Sequence, residues 1–228
     1  MTVAGLVKSS LVDYPGKVAC TLFVPGCNYS CFYCHNRQLI DGTYEVLDLD
    51  TVESFLKKRA GLLDGVVITG GEPTLQPDLV PFIKKIRRLG YLVKLDTNGS
   101  SPETVKWLLS ERLCDYYAVD YKAPAGRYRE ICGRAADVRK TLETVSLLLQ
   151  TQVPFEVRTT VIPQLSEKDL LIMAKELPVL PRYVLNRYRK PEKYLPAEED
   201  RISQTPYTQK QISAFAEVVR PYQPNVSA

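Results

Sequence analysis

The chain has 228 residues, 45% hydrophobic and 25% charged, which is the balance of an ordinary globular protein with one sizeable core. Its 30 lysines and arginines against 26 aspartates and glutamates leave a net charge of +4, too small a surplus to argue for nucleic acid, and no uninterrupted apolar run is long enough for a transmembrane helix. The start, Met1–Lys8, lacks the apolar core of an export signal, so a reducing, cytoplasmic setting is expected, with the six cysteines as thiols or metal ligands rather than disulfides.

The first predicted strand, Val18–Val24, runs into Cys27, Cys31 and Cys34, a Cys-x3-Cys-x2-Cys loop. A structural zinc site takes four closed ligands, usually as separated pairs. Here the only histidine, His35, is adjacent to Cys34, and no second pair follows. Iron–sulfur clusters normally use four thiolates. A cubane held by three keeps one iron open to an exogenous molecule, an arrangement for catalysis rather than for electron transfer alone.

A helix over Thr51–Ala60 leads to the strand Val66–Thr69, which ends in Gly70-Gly71-Glu72-Pro73. A glycine pair there lets backbone approach a ligand closely, and Glu72 is suited to a cationic group such as an amine; a plain βα turn is the alternative. The helix Leu79–Leu89 stops at Gly90, and the strand Tyr91–Asp96 opens into Asp96-Thr97-Asn98-Gly99, either a polar ligand site or an Asx-type turn. Pro102 in the first turn of the helix Pro102–Ser110 follows the capping candidates Ser100 and Ser101. The strand Tyr116–Tyr121 carries Asp120, and alternation puts Asp120 and Lys122 on one face, as ligand groups or as a salt bridge. After the helix Val138–Gln150, the apolar strand Phe155–Ile162 contains Arg158, which is expected to point at a ligand or an acidic partner. The helix Glu167–Glu176 and the strand Tyr183–Tyr188 complete the alternation.

Six strand–helix units are too few for a closed eight-stranded barrel, so the expected class is α/β, an open, partial parallel β/α barrel. Each motif falls just after a strand, where parallel β/α folds build ligand sites. Residues 1–189 are expected to form this domain. The segment 190–228, with Pro191, Pro196, Pro206, Pro221 and Pro224, is expected to be a strap with a helix near Thr208–Val219 packing on the same domain.

Cys27-x3-Cys31-x-Tyr33-Cys34 followed by Gly70-Gly71-Glu72-Pro73 resembles the radical S-adenosylmethionine (SAM) superfamily. Ser10 to Lys17, Pro25 to Asn28, Cys34 to Asn36 and Asp120 to Pro124 resemble the anaerobic ribonucleoside-triphosphate reductase activating proteins and other glycyl-radical-enzyme activases. The resemblance implies a [4Fe–4S] cluster on Cys27, Cys31 and Cys34, and SAM cleaved reductively to methionine and a 5′-deoxyadenosyl radical that takes a hydrogen from a glycine of a large partner enzyme. Carried over by motif, Gly70, Gly71 and Glu72 hold the methionyl amine. Asp96, Thr97, Asn98, Asp120 and Lys122 line the ribose and carboxylate side, Tyr33 lies near the adenine, and Arg158 and Asn186 match polar positions more loosely. The implied partners are a large glycyl radical enzyme, foremost an anaerobic ribonucleotide reductase, and flavodoxin or ferredoxin as electron donor, with neither nucleic acid nor membrane. Phe32 stands where proline is common in related sequences.

Two other readings stay open. A radical SAM enzyme acting on a small molecule or peptide, of maturase or deazapurine-forming type, keeps the chemistry and changes the substrate. A noncatalytic iron–sulfur or zinc protein that binds partners requires a fourth ligand and no SAM. Cys20, Cys114 and Cys132 are scattered and are expected to be buried small hydrophobes.

Overall fold

A computed structural model describes residues Met1–Ala228. In chain order its elements are β1 (Gly5–Ser10), β2 (Ala19–Val24), α1 (Arg37–Asp41), α2 (Leu49–Arg59), β3 (Gly65–Gly70), α3 (Leu79–Arg88), β4 (Leu92–Thr97), α4 (Pro102–Ser110), β5 (Tyr116–Asp120), α5 (Tyr128–Cys132), α6 (Val138–Leu149), β6 (Phe155–Val161), α7 (Glu167–Glu176), β7 (Tyr183–Arg187), α8 (Glu199–Ile202), α9 (Gln209–Val219) and β8 (Val226–Ser227). No helix is long and apolar enough to cross a membrane.

The strands follow chain order through one eight-stranded sheet. β1 runs antiparallel to β2, while β2 with β3, β3 with β4, β6 with β7, and β7 with β8 are parallel. This is the open β/α sheet of a partial barrel, with two strands that the sequence pattern does not announce. β1 is largely exposed and polar, and its register with β2 shifts between Val7 and Ser10, features of an edge strand rather than of a buried one. β8 is two residues long.

β2 shows why the inner strands are readable. Five of its six residues are buried, the near-continuous apolar run of a parallel strand covered on both faces. Each fully buried aliphatic side chain of this kind contributes about 1.5–3 kcal/mol. α3 turns Leu79, Val80, Phe82, Ile83 and Ile86 inward on one stripe and keeps Lys84, Lys85 and Arg88 outward, the 3.6-residue period of a core-facing helix.

The chain divides into two compact units. The first comprises Met1–Cys27, Gln38–Thr97 and Ser101–Ala118. Its core includes Leu22, Leu56, Val66, Ile68, Val93 and Leu95, and Tyr14 tilts against Tyr116 at 5.8 Å between ring centroids. The second comprises Asn28–Arg37, Asn98–Ser100 and Val119–Ala228. There Val157, Val161, Leu170, Met173, Tyr183, Ile212 and Val219 are buried, so the segment after residue 189 contributes core residues of its own. Capping boxes start both α7, at Ser166 with Asp169, and α9, at Thr208 with Gln211.

Candidate active site

In the first unit, the turn after β3 lies directly on the segment that introduces the cysteine loop. Gly71 N donates to Val24 O at 2.7 Å and Glu72 N donates to Gly26 O at 2.7 Å. The approach is so close that a Cβ on Gly71 would stand 1.9 Å from Gly26 O, and Gly70, at φ +112°, would put a Cβ 2.6 Å from Val24 N. Only glycine meets both demands. Gln76 Nε2 ties the same turn to Pro25 O at 2.8 Å.

Glu72 has no exposed surface. Its Oε1 accepts from Thr74 N at 3.1 Å, Thr74 Oγ1 at 2.6 Å and Thr97 Oγ1 at 2.7 Å. Such donors hold a buried carboxylate in one orientation and offset the cost of burying its charge. On β4, Asp96 pairs with Lys94, Nζ to Oδ1 at 2.5 Å, and Lys94 is 1% exposed. Sequence reasoning missed Lys94. The available signal was a lysine inside the apolar run Leu92-Val93-Lys94-Leu95, two residues from Asp96 and therefore on its face.

In the second unit, Asn28 Nδ2 donates to Ser100 Oγ at 2.9 Å, Asn98 Nδ2 donates to Asn28 Oδ1 at 3.0 Å, and Ser100 N donates to Asn98 Oδ1 at 2.9 Å. Thr141 Oγ1 and Thr144 Oγ1 of α6 hold the Asn98 and Gly99 carbonyls at 2.9 and 2.8 Å. Asp120 is the hub of a charged triad. Lys122 Nζ is 3.0 Å from its Oδ2, and Arg158 Nε is 3.0 Å from its Oδ1. Burial alone would raise the Asp120 carboxyl, yet the charges of Lys122 and Arg158 outweigh it and hold the group well below the usual carboxylate range. Burial works to lower Lys122 as well, and the Asp120 carboxylate keeps it well above the ordinary lysine value.

Cys27 and Cys34 are half-buried and Cys31 is buried. No three His, Cys, Asp or Glu side chains are gathered into a ready metal-ligand group. Cys31 hydrogen-bonds to Cys132 at the end of α5, which lowers its pKa, and burial raises that of Cys34. Cys20, Cys114 and Cys132 are all buried, as expected of small core residues. The cysteine loop still fits an iron–sulfur cluster: its three thiols within eight residues have the donor chemistry of a cluster, and the buried Tyr33 hydroxyl beside them has no hydrogen-bond partner in the protein. Asn186 is exposed on β7.

Comparisons with known proteins identify the family. The radical SAM superfamily profile matches residues 21–177. A protein of Methanocaldococcus jannaschii, provisionally named a glycyl-radical enzyme activating enzyme, is 35% identical over 199 residues, covering 84% of this chain and 82% of its own. The 7-carboxy-7-deazaguanine synthase of Neisseria meningitidis serogroup B is 33% identical over 112 residues, 49% of this chain and 47% of its own. Among solved structures, Streptococcus suis SuiB bound to S-adenosylmethionine superimposes with a TM-score of 0.65 at 16% identity, over 89% of this chain and 48% of SuiB, a likeness of fold. This chain thus spans about half the length of the last two. The profile match and the conserved-length relative together show that the chain belongs to the radical SAM superfamily, as an enzyme related to the glycyl-radical-enzyme activating proteins.

Proposed function

We propose that the protein is a glycyl-radical-enzyme activase whose partner is an anaerobic ribonucleotide reductase, working in the cytoplasm with flavodoxin or ferredoxin as electron donor. The observation that carries the activase reading is the 35% identity, over most of both chains, to a protein named for activating a glycyl-radical enzyme; the choice of a ribonucleotide reductase rests on the resemblance of the Ser10–Lys17, Pro25–Asn28, Cys34–Asn36 and Asp120–Pro124 segments. When bound, a [4Fe–4S] cluster supplies the electron that splits SAM into methionine and a 5′-deoxyadenosyl radical, the species that removes a hydrogen atom from the partner's glycine.

This chain's residues bind and orient. Cys27, Cys31 and Cys34 are the cluster ligands. Gly70 and Gly71, which must be glycine to pass against Val24 and Gly26, set the course of the turn that meets the methionyl amine, and Glu72, fixed by Thr74 and Thr97, supplies the negative charge an ammonium needs. Lys122 and Arg158 supply positive charge for a carboxylate, with Asp120 setting their positions. Asp96 and Asn98 serve the ribose, and Tyr33, whose hydroxyl is buried, serves the adenine. A sulfonium amino acid demands this set, an anion for its ammonium and a cation for its carboxylate.

A second reading, a small-molecule radical SAM enzyme, draws on the similarity to the deazaguanine synthase, which extends over only about half of each chain. The two are separated by mixing the reduced, reconstituted protein anaerobically with SAM and an anaerobic ribonucleotide reductase. The activase reading expects an EPR doublet on the reductase that depends on both SAM and Cys31. SAM turnover that leaves every candidate glycyl radical enzyme EPR-silent, and that is stimulated by a small-molecule substrate, rejects it.

A further inference from the structure

The residues after Tyr188 carry none of the superfamily's motifs, yet one of them stands on the cysteine loop. Within the second unit, the Arg201 guanidinium carbon of α8 lies 3.6 Å from the ring centroid of Phe32. Phe32 is 5% exposed and sits between Cys31 and Cys34. A guanidinium this close to an aromatic centroid makes a cation–π contact, which arginine's planar group suits better than lysine's ammonium.

Arg201 is itself anchored. Nη1 pairs with Glu198 at 3.0 Å, Nη2 donates to Glu130 O at 3.4 Å, and the Arg201 carbonyl accepts from Gln164 Nε2 at 2.8 Å. The beginning of the loop has its own fasteners, with Ser30 N donating to Cys132 O at 2.9 Å and Arg37 Nη1 donating to Ser30 Oγ at 3.2 Å. The middle has the tight turn Cys34 N to Cys31 O at 3.2 Å, whose two buried aromatic residues, Phe32 and Tyr33, meet edge-on at 5.3 Å. Tyr33 packs in turn against Tyr188, and Arg201 covers the face of Phe32.

We propose that Arg201 is a positioning residue for the cysteine loop: stacked on Phe32, it fixes the Cys31–Cys34 turn so that its thiols are presented in one arrangement. The inference rests on the iron–sulfur reading of the loop for its purpose, but the clamp itself is a property of the polypeptide. It assigns the C-terminal segment a role in retaining the cluster.

The test uses full-length wild type, Arg201→Gln, Arg201→Lys, Phe32→Leu and the double variant Arg201→Gln/Phe32→Leu. Hydrogen exchange of residues 28–34 is measured on the metal-free protein, and the rate at which a ferrous chelator strips iron is measured on the reconstituted protein. Arg201→Gln and Phe32→Leu are each expected to speed both processes about three- to tenfold, and the double variant to be no faster than the faster single one. Arg201→Lys, which keeps the cation, falls between wild type and Arg201→Gln. Should Arg201→Gln fail to fold, Phe32→Leu carries the same comparison. Wild-type rates in Arg201→Gln, or effects that multiply in the double variant, overturn the clamp. Faster loop exchange in a protein that takes up no cluster keeps the clamp and removes the iron–sulfur reading, whereas cluster uptake with unchanged exchange does the reverse.

Discussion

A single added carbon decides the state of the turn after β3. Alanine at position 71 would place its Cβ 1.9 Å from Gly26 O, so the backbone must move and the 2.7 Å hydrogen bond from Glu72 N to that same oxygen must stretch. Gly71→Ala is expected to cost about 1–3 kcal/mol of stability through overpacking. It also displaces the turn that carries Glu72, so SAM affinity should fall at least about tenfold, which corresponds to about 1.4 kcal/mol. Thermal melting and calorimetric titration of the cluster-loaded protein measure the two effects. An alanine variant that binds SAM like wild type would show that this close approach is packing alone. Glu72 belongs to the same argument: three donors on one oxygen make it a fixed charge rather than a mobile one.

At the scale of elements, the end of α7 depends on one side chain from the far end of the chain. Gln223 is 1% exposed. Its Oε1 accepts from Leu180 N at 3.0 Å, and its Nε2 donates to the Ala174 and Pro178 carbonyls at 3.0 Å each. Gln223→Leu keeps the approximate volume and strands those backbone groups, so a loss of about 1–3 kcal/mol is expected in urea unfolding. An unchanged midpoint would mean that water reaches these groups. The same elements show what was legible in the sequence. β2 and β6 announce themselves as apolar runs because parallel strands are buried on both faces, and the cysteine loop and Gly70–Pro73 stand out by spacing and composition just after β2 and at the end of β3. β1, β8, α1, α5 and α8 escaped, being polar at an edge or only two to five residues long. Asp120 with Lys122 was readable from alternation two residues apart. Thr97 on Glu72, Cys132 beside Cys31 and Arg201 on Phe32 were not, because nothing local encodes a partner 25 to 169 residues away.

For the whole molecule, the buried weak acids set an alkaline limit. Burial, foremost, pushes the Tyr14 hydroxyl up to about 12 from 10.0 and the Cys114 thiol up to about 12 from 9.0. Both folded values are raised, so the unfolded chain releases these protons first. Their contribution is complete below about pH 9 and is lost as pH climbs toward about 12. The urea midpoint of the metal-free protein should therefore hold near about pH 8 and fall steadily above about pH 10, and a midpoint that rises over that span would contradict the assignment.

The proposed roles of Cys27, Cys31 and Cys34 in holding a cluster that cleaves SAM stand or fall by one assay. The protein is reconstituted anaerobically with iron and sulfide, reduced and given SAM, and 5′-deoxyadenosine and methionine are quantified beside a Cys31→Ala control. Equal yields of the two products from wild type and none from the variant are the predicted result. A fully loaded, reduced wild-type protein that leaves SAM intact, with or without its partner enzyme, would contradict it.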